Sequence, residues 1–144
     1  NRWREEIVDV IRRNTDYAIR AMIIVGRAPD GEHVSTRAIA ERGLISYQLA
    51  CKIMQRLHGA GLVGSRMGPS GGFALGRKRS AISLLDIMEA MQPPLTINRC
   101  LSAEGFCDLK KKCPVTSRIR KLQKNMIDYL SGITLEDLVR DCGY

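Results

Sequence analysis

Three cysteines in one polar stretch offer the strongest candidate chemistry in this 144-residue chain. Cys100, Cys107 and Cys113 are spaced Cys-x6-Cys-x5-Cys, and a proline follows the third. Zinc modules usually present Cys-x2-Cys knuckles, whereas wider spacing on an irregular loop suits a larger inorganic core that the loop wraps. Nearby lysines, Lys110 to Lys112, favour the thiolate form. The pattern predicts metal binding, with an iron–sulfur cluster favoured over zinc and unrelated thiols as the alternative.

The fourth ligand of such a cluster must lie outside the loop, because no histidine follows Cys113. The candidates are His33, in the turn before the second predicted helix, and carboxylates such as Asp16. Two further cysteines, Cys51 and Cys142, lie apart from the group and are expected to be ordinary thiols. The residues alone leave the choice between histidine and carboxylate open.

The first three helices of the chain are predicted from apolar spacing. The first covers residues 15–27, with Thr15 as its expected N-cap. Ser35 and Ser46 cap two shorter helices, and Gly43 lies in the tight turn between them. Two short helices joined in this way form the helix-turn-helix pattern, whose second helix enters the major groove of DNA.

A β-hairpin is predicted directly after the third helix. Short strand candidates at residues 62–63 and 73–75 flank a glycine-rich tip at residues 67–72. A hairpin in this position is a wing, and Arg66 at its base is placed to reach a minor groove. A further helix follows over residues 83–91, so the fold class is mainly α with a small β-hairpin wing.

The charge distribution favours DNA as the partner. The chain has 23 Lys and Arg against 15 Asp and Glu, and no acidic residue lies between Arg42 and Leu85. Carboxylates would repel phosphates and oppose counterion release, so their absence favours a surface that faces DNA. A second acid-free run, residues 109–127, is either a solvated face or a further basic surface. The residues expected to face DNA are Ser35, Ser46, Tyr47, Gln48, Cys51, Lys52, Arg56, Arg66, Gly68, Pro69 and Ser70.

A long helix is predicted after the third cysteine. Its apolar residues recur at alternating intervals of four and three, at Val115, Ile119, Leu122, Met126 and Tyr129. Such a stripe needs a partner surface, and the same helix of a second subunit is the expected one. The alternative is a helix that folds back on its own domain. The predicted dimer contacts are Ile119, Leu122, Met126 and Tyr129.

The chain therefore divides into five predicted segments. These are an N-terminal extension (1–10), a winged helix-turn-helix domain (11–92), a cysteine-rich cluster-binding loop (93–114), a dimerisation helix (115–132) and a short C-terminal helix with a tail (133–144). The extension is either sequence ahead of a true start near Val10 or an additional helical turn. No apolar run has the length of a membrane span and no signal peptide is recognisable, so we expect a cytoplasmic protein without a membrane partner.

An ordered set of motifs resembles the bacterial transcription regulators typified by the iron–sulfur biogenesis regulator IscR and the nitric-oxide-sensing repressor NsrR. The resemblance covers residues 11–139. It rests on TDYAIR at 15–20, AER at 40–42, IS at 45–46, AGLV at 60–63, GPSGGF at 68–73, LDI at 85–87 and the three cysteines.

This resemblance implies a dimeric winged-helix protein with a 2Fe-2S or 4Fe-4S cluster on the three loop cysteines. In NsrR-like members an aspartate of the other subunit completes the cluster, and Asp16 holds that place here. IscR-like members use a histidine shortly after the third cysteine, where this chain has Thr116. Asp16 is therefore the first choice as the fourth ligand, with His33 as its competitor.

Two departures from the family pattern concern DNA contacts. The glycine of the turn falls one residue early, at Gly43, so that Leu44 occupies the usual position. The wing arginine is replaced by Met67, with Arg66 as its expected substitute. The operator sequence of known members is therefore not carried over.

The expected function is that of a dimeric transcriptional repressor, not an enzyme, on a palindromic operator. An iron–sulfur cluster that senses redox state, nitric oxide or iron would control its affinity for DNA. No small-molecule substrate is expected, because no catalytic triad, phosphate-cradling loop or acid–base pair is recognisable. The first alternative is the same regulator without a cluster, switched by cysteine oxidation or a protein partner. The second is a cluster-carrying electron-transfer module, which salt-dependent binding to duplex DNA would exclude.

Overall fold

The computed structural model describes residues 9–102, 107–109 and 111–143. Most of the predicted N-terminal extension, residues 1–8, lies outside these ranges. Within them the fold is mainly helical with a two-stranded hairpin, as the sequence predicts. In chain order the elements are α1 (Arg13–Gly26), α2 (Thr36–Gly43), α3 (Tyr47–Gly59), β1 (Val63–Arg66), β2 (Gly72–Leu75), a 3-10 turn (Arg79–Ala81), α4 (Leu84–Met91), a second 3-10 turn (Arg99–Leu101), α5 (Pro114–Gly132) and α6 (Leu135–Asp141).

Serine caps begin both helices of the helix-turn-helix. The Ser35 hydroxyl accepts a hydrogen bond of 3.1 Å from the Ala38 amide, and the Ser46 hydroxyl accepts one of 3.2 Å from the Leu49 amide. Each bond satisfies an amide that has no partner within the helix, which is worth about 1 kcal/mol. Both predicted helix starts are therefore confirmed.

The predicted start of α1 at Thr15 is wrong. The helix begins two residues earlier, at Arg13, and Thr15 is fully buried within it. The Thr15 hydroxyl donates a hydrogen bond of 2.7 Å to the side-chain oxygen of Gln92, the residue that ends α4. The Thr15 hydroxyl is thus bonded to a residue distant in sequence and not to a nearby amide, as it would be in an N-cap. The spacing of residues along the chain does not reveal such a partner.

The wing is an antiparallel pair of strands in which Arg66 lies opposite Gly72. The first strand begins at Val63 and not at Leu62 as predicted, but both strands run further toward the tip, which shortens to residues 67–71. The wing base is fixed by Val34, whose amide and carbonyl each form a 2.8 Å hydrogen bond with the backbone of Phe73. A Cβ at Gly72 would collide with the Val34 carbonyl oxygen, so this close approach requires glycine.

The core forms around α1, which contacts α2, α3, α4 and α6. Met22 of α1, Ile53 and Leu57 of α3, and Ile87 of α4 are 0–1% exposed. Leu135 of α6 is also fully buried in this cluster. Burial of each such side chain contributes about 1.5–3 kcal/mol. The C-terminal helix α6 therefore shares the core of the helix-turn-helix.

The longest helix in the described ranges is α5, with 19 residues. It begins at Pro114, where a missing amide hydrogen is tolerated because the first helical turn has no acceptor for it. It packs along α4. None of the helices in the described ranges combines the length and apolarity that crossing a bilayer requires.

The turn between α2 and α3 is closed by Leu44 in the left-handed backbone conformation, with φ of 54°. A side chain in this region costs about 1–2 kcal/mol, and glycine avoids that cost. The Leu44 side chain is 85% exposed, so it recovers little of the cost by burial. The early glycine at position 43 thus leaves the chain with local strain in this turn.

Leu44→Gly is expected to raise the free energy of unfolding by about 0.5–1 kcal/mol, because the relief of strain exceeds the entropy that glycine adds to the unfolded chain. Urea unfolding followed by circular dichroism measures the change. Leu44→Ala keeps a Cβ and is the matched control, with a change below about 0.5 kcal/mol. A less stable Leu44→Gly protein would contradict the assignment of strain to this turn.

Candidate functional site

The exposed side of α3 carries the residues predicted to face DNA. Tyr47 is 57% exposed at the start of the helix, and Gln48 and Lys52 are exposed beyond it. Cys51, predicted on the same side, is half-buried. The first turn of α3 thus presents aromatic and amide groups, and its next turn presents a cation. Amides read base edges and cations neutralise phosphates.

Three of the predicted DNA contacts also have bonds within the fold. The hydroxyls of Ser35 and Ser46 cap α2 and α3, although both residues are exposed. Arg56 is exposed, and its Nη1 donates a hydrogen bond of 3.0 Å to the Met91 carbonyl oxygen at the end of α4. The Arg56 bond satisfies a helix-terminal carbonyl and ties α3 to α4, a role that the sequence did not indicate.

The predicted contacts of the wing lie on its outer surface. Arg66, Gly68, Pro69 and Ser70 are all exposed. The Gly71 amide donates a hydrogen bond of 2.9 Å to the Gly68 carbonyl oxygen, which closes the tip. The wing therefore exposes these four residues on a short hairpin with a closed tip.

The three loop cysteines have different surroundings between α4 and α5. Cys100 is half-buried in the second 3-10 turn, Cys107 is exposed, and Cys113 is the half-buried N-cap residue of α5. In the described ranges, no three Cys, His, Asp or Glu side chains form a group that could hold a metal ion. The single chain thus does not bring these cysteines together within those ranges, and part of the segment that joins them lies outside them.

Thr116, which stands in place of the IscR-type histidine, acts on Cys113. Its side chain is buried, with the residue only 3% exposed. The polar hydrogens of the Thr116 amide and hydroxyl, and of the Val115 amide, favour the thiolate of Cys113 and so lower the pKa of its thiol. The thiolate is the form that binds metals and attacks disulfides. Thr116 therefore favours the reactive form of the third cysteine.

Gln92, which the sequence analysis missed, fastens the start of the cysteine loop to α1. Its Oε1 accepts hydrogen bonds from the Arg12 amide at 3.1 Å and from the Thr15 hydroxyl at 2.7 Å. Its Nε2 donates to the Val10 carbonyl oxygen at 3.0 Å. The loop therefore leaves the domain beside the first turn of α1.

The two candidates for a fourth ligand lie toward opposite ends of α1. Asp16 is in the first turn, where its 60%-exposed carboxylate pairs with Arg20 at 3.3 Å. His33 follows the other end and is half-buried in a groove with Ser35 and Pro69, against the wing. A helix of 14 residues is about 20 Å long. Within one chain, Asp16 is therefore on the side of the cysteine loop and His33 on the side of the wing.

The predicted seam of α5 is only partly covered by its own domain. Val115, Leu122 and Tyr129 recur at intervals of seven and are 58%, 54% and 73% exposed. Ile119 and Met126, which lie between them along the seam, are half-buried. An exposed apolar line at heptad spacing is typical of a helix that packs against another helix.

A helix-turn-helix with a hairpin wing fixed to its core defines the class of winged-helix DNA-binding proteins. The model of the Rrf2 family, described as an iron-dependent transcriptional regulator, matches residues 11–141. The chain belongs to the Rrf2 family and is a DNA-binding transcriptional regulator, not an enzyme. The resemblance found in the sequence is confirmed.

Solved structures of Rrf2-type regulators share the fold over nearly the whole chain. T. potens IscR is 26% identical, with a TM-score of 0.70 over 95% of this chain and 88% of that one. CymR of B. subtilis, described as the global cysteine regulator, is 24% identical, with a TM-score of 0.76 over 94% and 99% of the two chains. Staphylococcus aureus CymR is 22% identical, with a TM-score of 0.71 over 92% and 100%.

Proposed function

We propose that this protein is a homodimeric repressor whose affinity for a palindromic operator depends on an iron–sulfur cluster of the 2Fe-2S or 4Fe-4S type. Cys100, Cys107 and Cys113 supply three ligands, and Asp16 of the partner subunit supplies the fourth. The observation that carries the proposal is the placement of all three thiols in the one segment that joins the DNA-binding domain to α5. The description of the family as iron-dependent supports it.

The donor set fits a cluster by its chemistry. Thiolates are the usual ligands of iron–sulfur clusters, and the exposed Lys111 and Lys112 beside Cys113 offset the negative charge of such a centre. Thiols that do not converge in the free chain are expected for a site whose ligands are ordered by the metal itself. When bound, the cluster would supply a centre that is sensitive to oxidants, nitric oxide and iron supply.

Asp16 is favoured over His33 by the resemblance described above and because its carboxylate is exposed, whereas His33 is half-buried; it is also linked to the turn between α2 and α3 through Arg20. Arg20 donates through Nη2 to the Asp16 carboxylate at 3.3 Å and through Nη1 to the Gly43 carbonyl oxygen at 2.7 Å. The guanidinium also lies 5.3 Å from the centre of the Tyr17 ring. Ligation by Asp16 would compete with the ion pair, so Arg20 would transmit the change to the turn between α2 and α3.

The cluster can change operator affinity in this way only in a dimer. The exposed line of α5 supplies the interface, and two α3 helices would then read two half-sites of a palindrome. The cysteine loop is linked to α5 as well, because the Ile97 amide donates a hydrogen bond of 3.0 Å to the Gln123 side chain. A change in the loop would therefore alter the placement of the two recognition helices. As its target is genomic DNA, we place the protein in the cytoplasm.

The test is the absorption spectrum of protein purified without oxygen, with iron and sulfide analysis. Brown protein with matching amounts of iron and sulfide is the expected result, because a cluster contains both. Operator affinity should then fall when a chelator removes the iron under the same conditions. Colourless protein that takes up no iron during anaerobic reconstitution would contradict the proposal.

A cluster-free thiol switch is the second candidate, and the surroundings of two cysteines favour it. Cys107 is exposed, and Thr116 lowers the pKa of the Cys113 thiol. These are the properties of a thiol that reacts with oxidants. Iron-free protein that loses operator binding reversibly on mild oxidation, with a mapped disulfide or sulfenic acid at these residues, would establish this alternative.

A further inference from the structure

Met67, at the start of the wing tip, is the most exposed large apolar side chain in the described part of the chain, at 94%. Scattered exposed apolar residues are ordinary on most protein surfaces. Met67, however, follows the exposed Arg66 within the acid-free run that ends at Leu85. A surface without carboxylates is suited to lie against the phosphates of DNA, but an apolar side chain has no favourable electrostatic interaction with a phosphate. Its position therefore suggests a contact with bases.

The wing tip presents this side chain on a stiff and narrow support. The Gly71 amide bonds to the Gly68 carbonyl oxygen at 2.9 Å, and Gly68 has φ of +102°. A Cβ at Gly71 would collide with the Arg66 carbonyl oxygen, so the two sides of the tip approach closely. Pro69 restricts the same turn further. A tip of this kind reaches into a narrow groove at little entropic cost.

The order of the elements along the chain indicates which groove of DNA the wing tip would contact. The wing begins directly after α3, and when α3 lies in the major groove the adjacent groove is the minor one. Arg66 is attracted to the negative potential of a narrow minor groove. Proteins that bind there insert Met, Leu, Ile, Phe or Pro as wedges between base pairs, which unstacks the step and bends the duplex.

We propose that Met67 is such a wedge, so that each wing unstacks one base step of the minor groove and bends the operator. The proposal rests on DNA binding by the helix-turn-helix and adds a contact that none of the DNA-facing residues above makes. It gives the wing a preference for flexible steps, because pyrimidine–purine steps unstack most easily.

The test uses the wild-type dimer and a duplex that it selects from a random pool. 2-Aminopurine is placed at single adenines along the flanks of each half-site, since its fluorescence rises when it is unstacked. The wild type should raise the fluorescence at one step in each half-site and should bend the duplex in a phasing assay. Met67→Ala should lose both signals and bind about tenfold more weakly, and Met67→Leu should keep them.

Two further variants separate a wedge from a general surface effect. Met67→Arg should retain salt-dependent binding without the fluorescence rise, because a cation replaces the wedge. Val10→Ala shortens an exposed aliphatic side chain outside both the wing and the helix-turn-helix, and it should leave the fluorescence rise intact. An unchanged rise with Met67→Ala, or tight binding by the wild type with no responsive position, would overturn the proposal. If no duplex is selected and no salt-dependent binding is found, the DNA interface as a whole is wrong.

Discussion

The Cys107→Ala protein is expected to be colourless and to bind the operator about 10- to 100-fold more weakly than the wild type. Cys107 is exposed, so the substitution removes a ligand without removing buried packing. Cys113 is a poorer choice, because it is half-buried, so that its replacement would also remove packing at the start of α5. Absorption, iron content and fluorescence anisotropy on labelled operator, all without oxygen, measure the effect.

The matched control is Cys142→Ala, which removes a thiol that packs beside the core and lies outside the loop. It should keep both the colour and the operator affinity. Arg20→Gln tests cluster binding separately from the effect of the cluster on operator affinity, because Arg20 links Asp16 to the Gly43 carbonyl oxygen. That variant should be brown, yet its operator affinity should no longer depend on iron. Colourless Cys107→Ala protein with wild-type affinity would refute the coupling.

The helix-turn-helix and the wing were predictable because their signals are local. A serine directly before a run of helical apolar spacing indicates a helix start, because its hydroxyl can accept the otherwise unpaired N3 amide. Ser35 and Ser46 do this at the starts of α2 and α3. The glycine-rich tip indicates a hairpin for the same reason, since only glycine tolerates the backbone of Gly68 and the crowding at Gly71. Each of these features is decided within a few residues of the chain.

The contacts that fasten the elements to one another were not predictable. The Thr15 hydroxyl has the chemistry of an N-cap, and only the fold brings Gln92 within 2.7 Å of it. The bond from Arg56 to the Met91 carbonyl likewise joins residues 35 positions apart. Val34 continues the wing as a bridge to Phe73, although a single residue carries no strand pattern. Pairings of this kind depend on tertiary distance, which periodicity does not encode.

The candidate cluster site is an intermediate case. Residue type and spacing single out the three cysteines, because thiols in a polar loop have few structural reasons to be close in sequence. Whether the three thiols converge could not be predicted in the same way, since metal ligation is coupled to the folding of the loop that carries the ligands. The fourth ligand depends on the second subunit and so is proposed from the resemblance and from the exposure of the Asp16 carboxylate.

Leu122→Glu is expected to convert the protein to a monomer and to weaken operator binding about a thousandfold or more, because only one half-site can be read at a time. Leu122 is 54% exposed in the chain, so the charge costs little in the monomer. At a two-fold interface the substitution would place two carboxylates in an apolar seam, where unpaired charges cost several kcal/mol each. Sedimentation equilibrium and anisotropy on the operator measure the two effects.

Ser131→Glu is the matched control, because it adds the same charge to an exposed position on the face of α5 opposite Leu122. It should be dimeric and should bind the operator like the wild type, apart from a small electrostatic loss. The circular dichroism of both variants should match the wild type, since glutamate is a good helix former. A Leu122→Glu protein that is still dimeric would move the interface away from the line of Val115, Leu122 and Tyr129. The predicted coupling would then need a route to the second recognition helix other than α5.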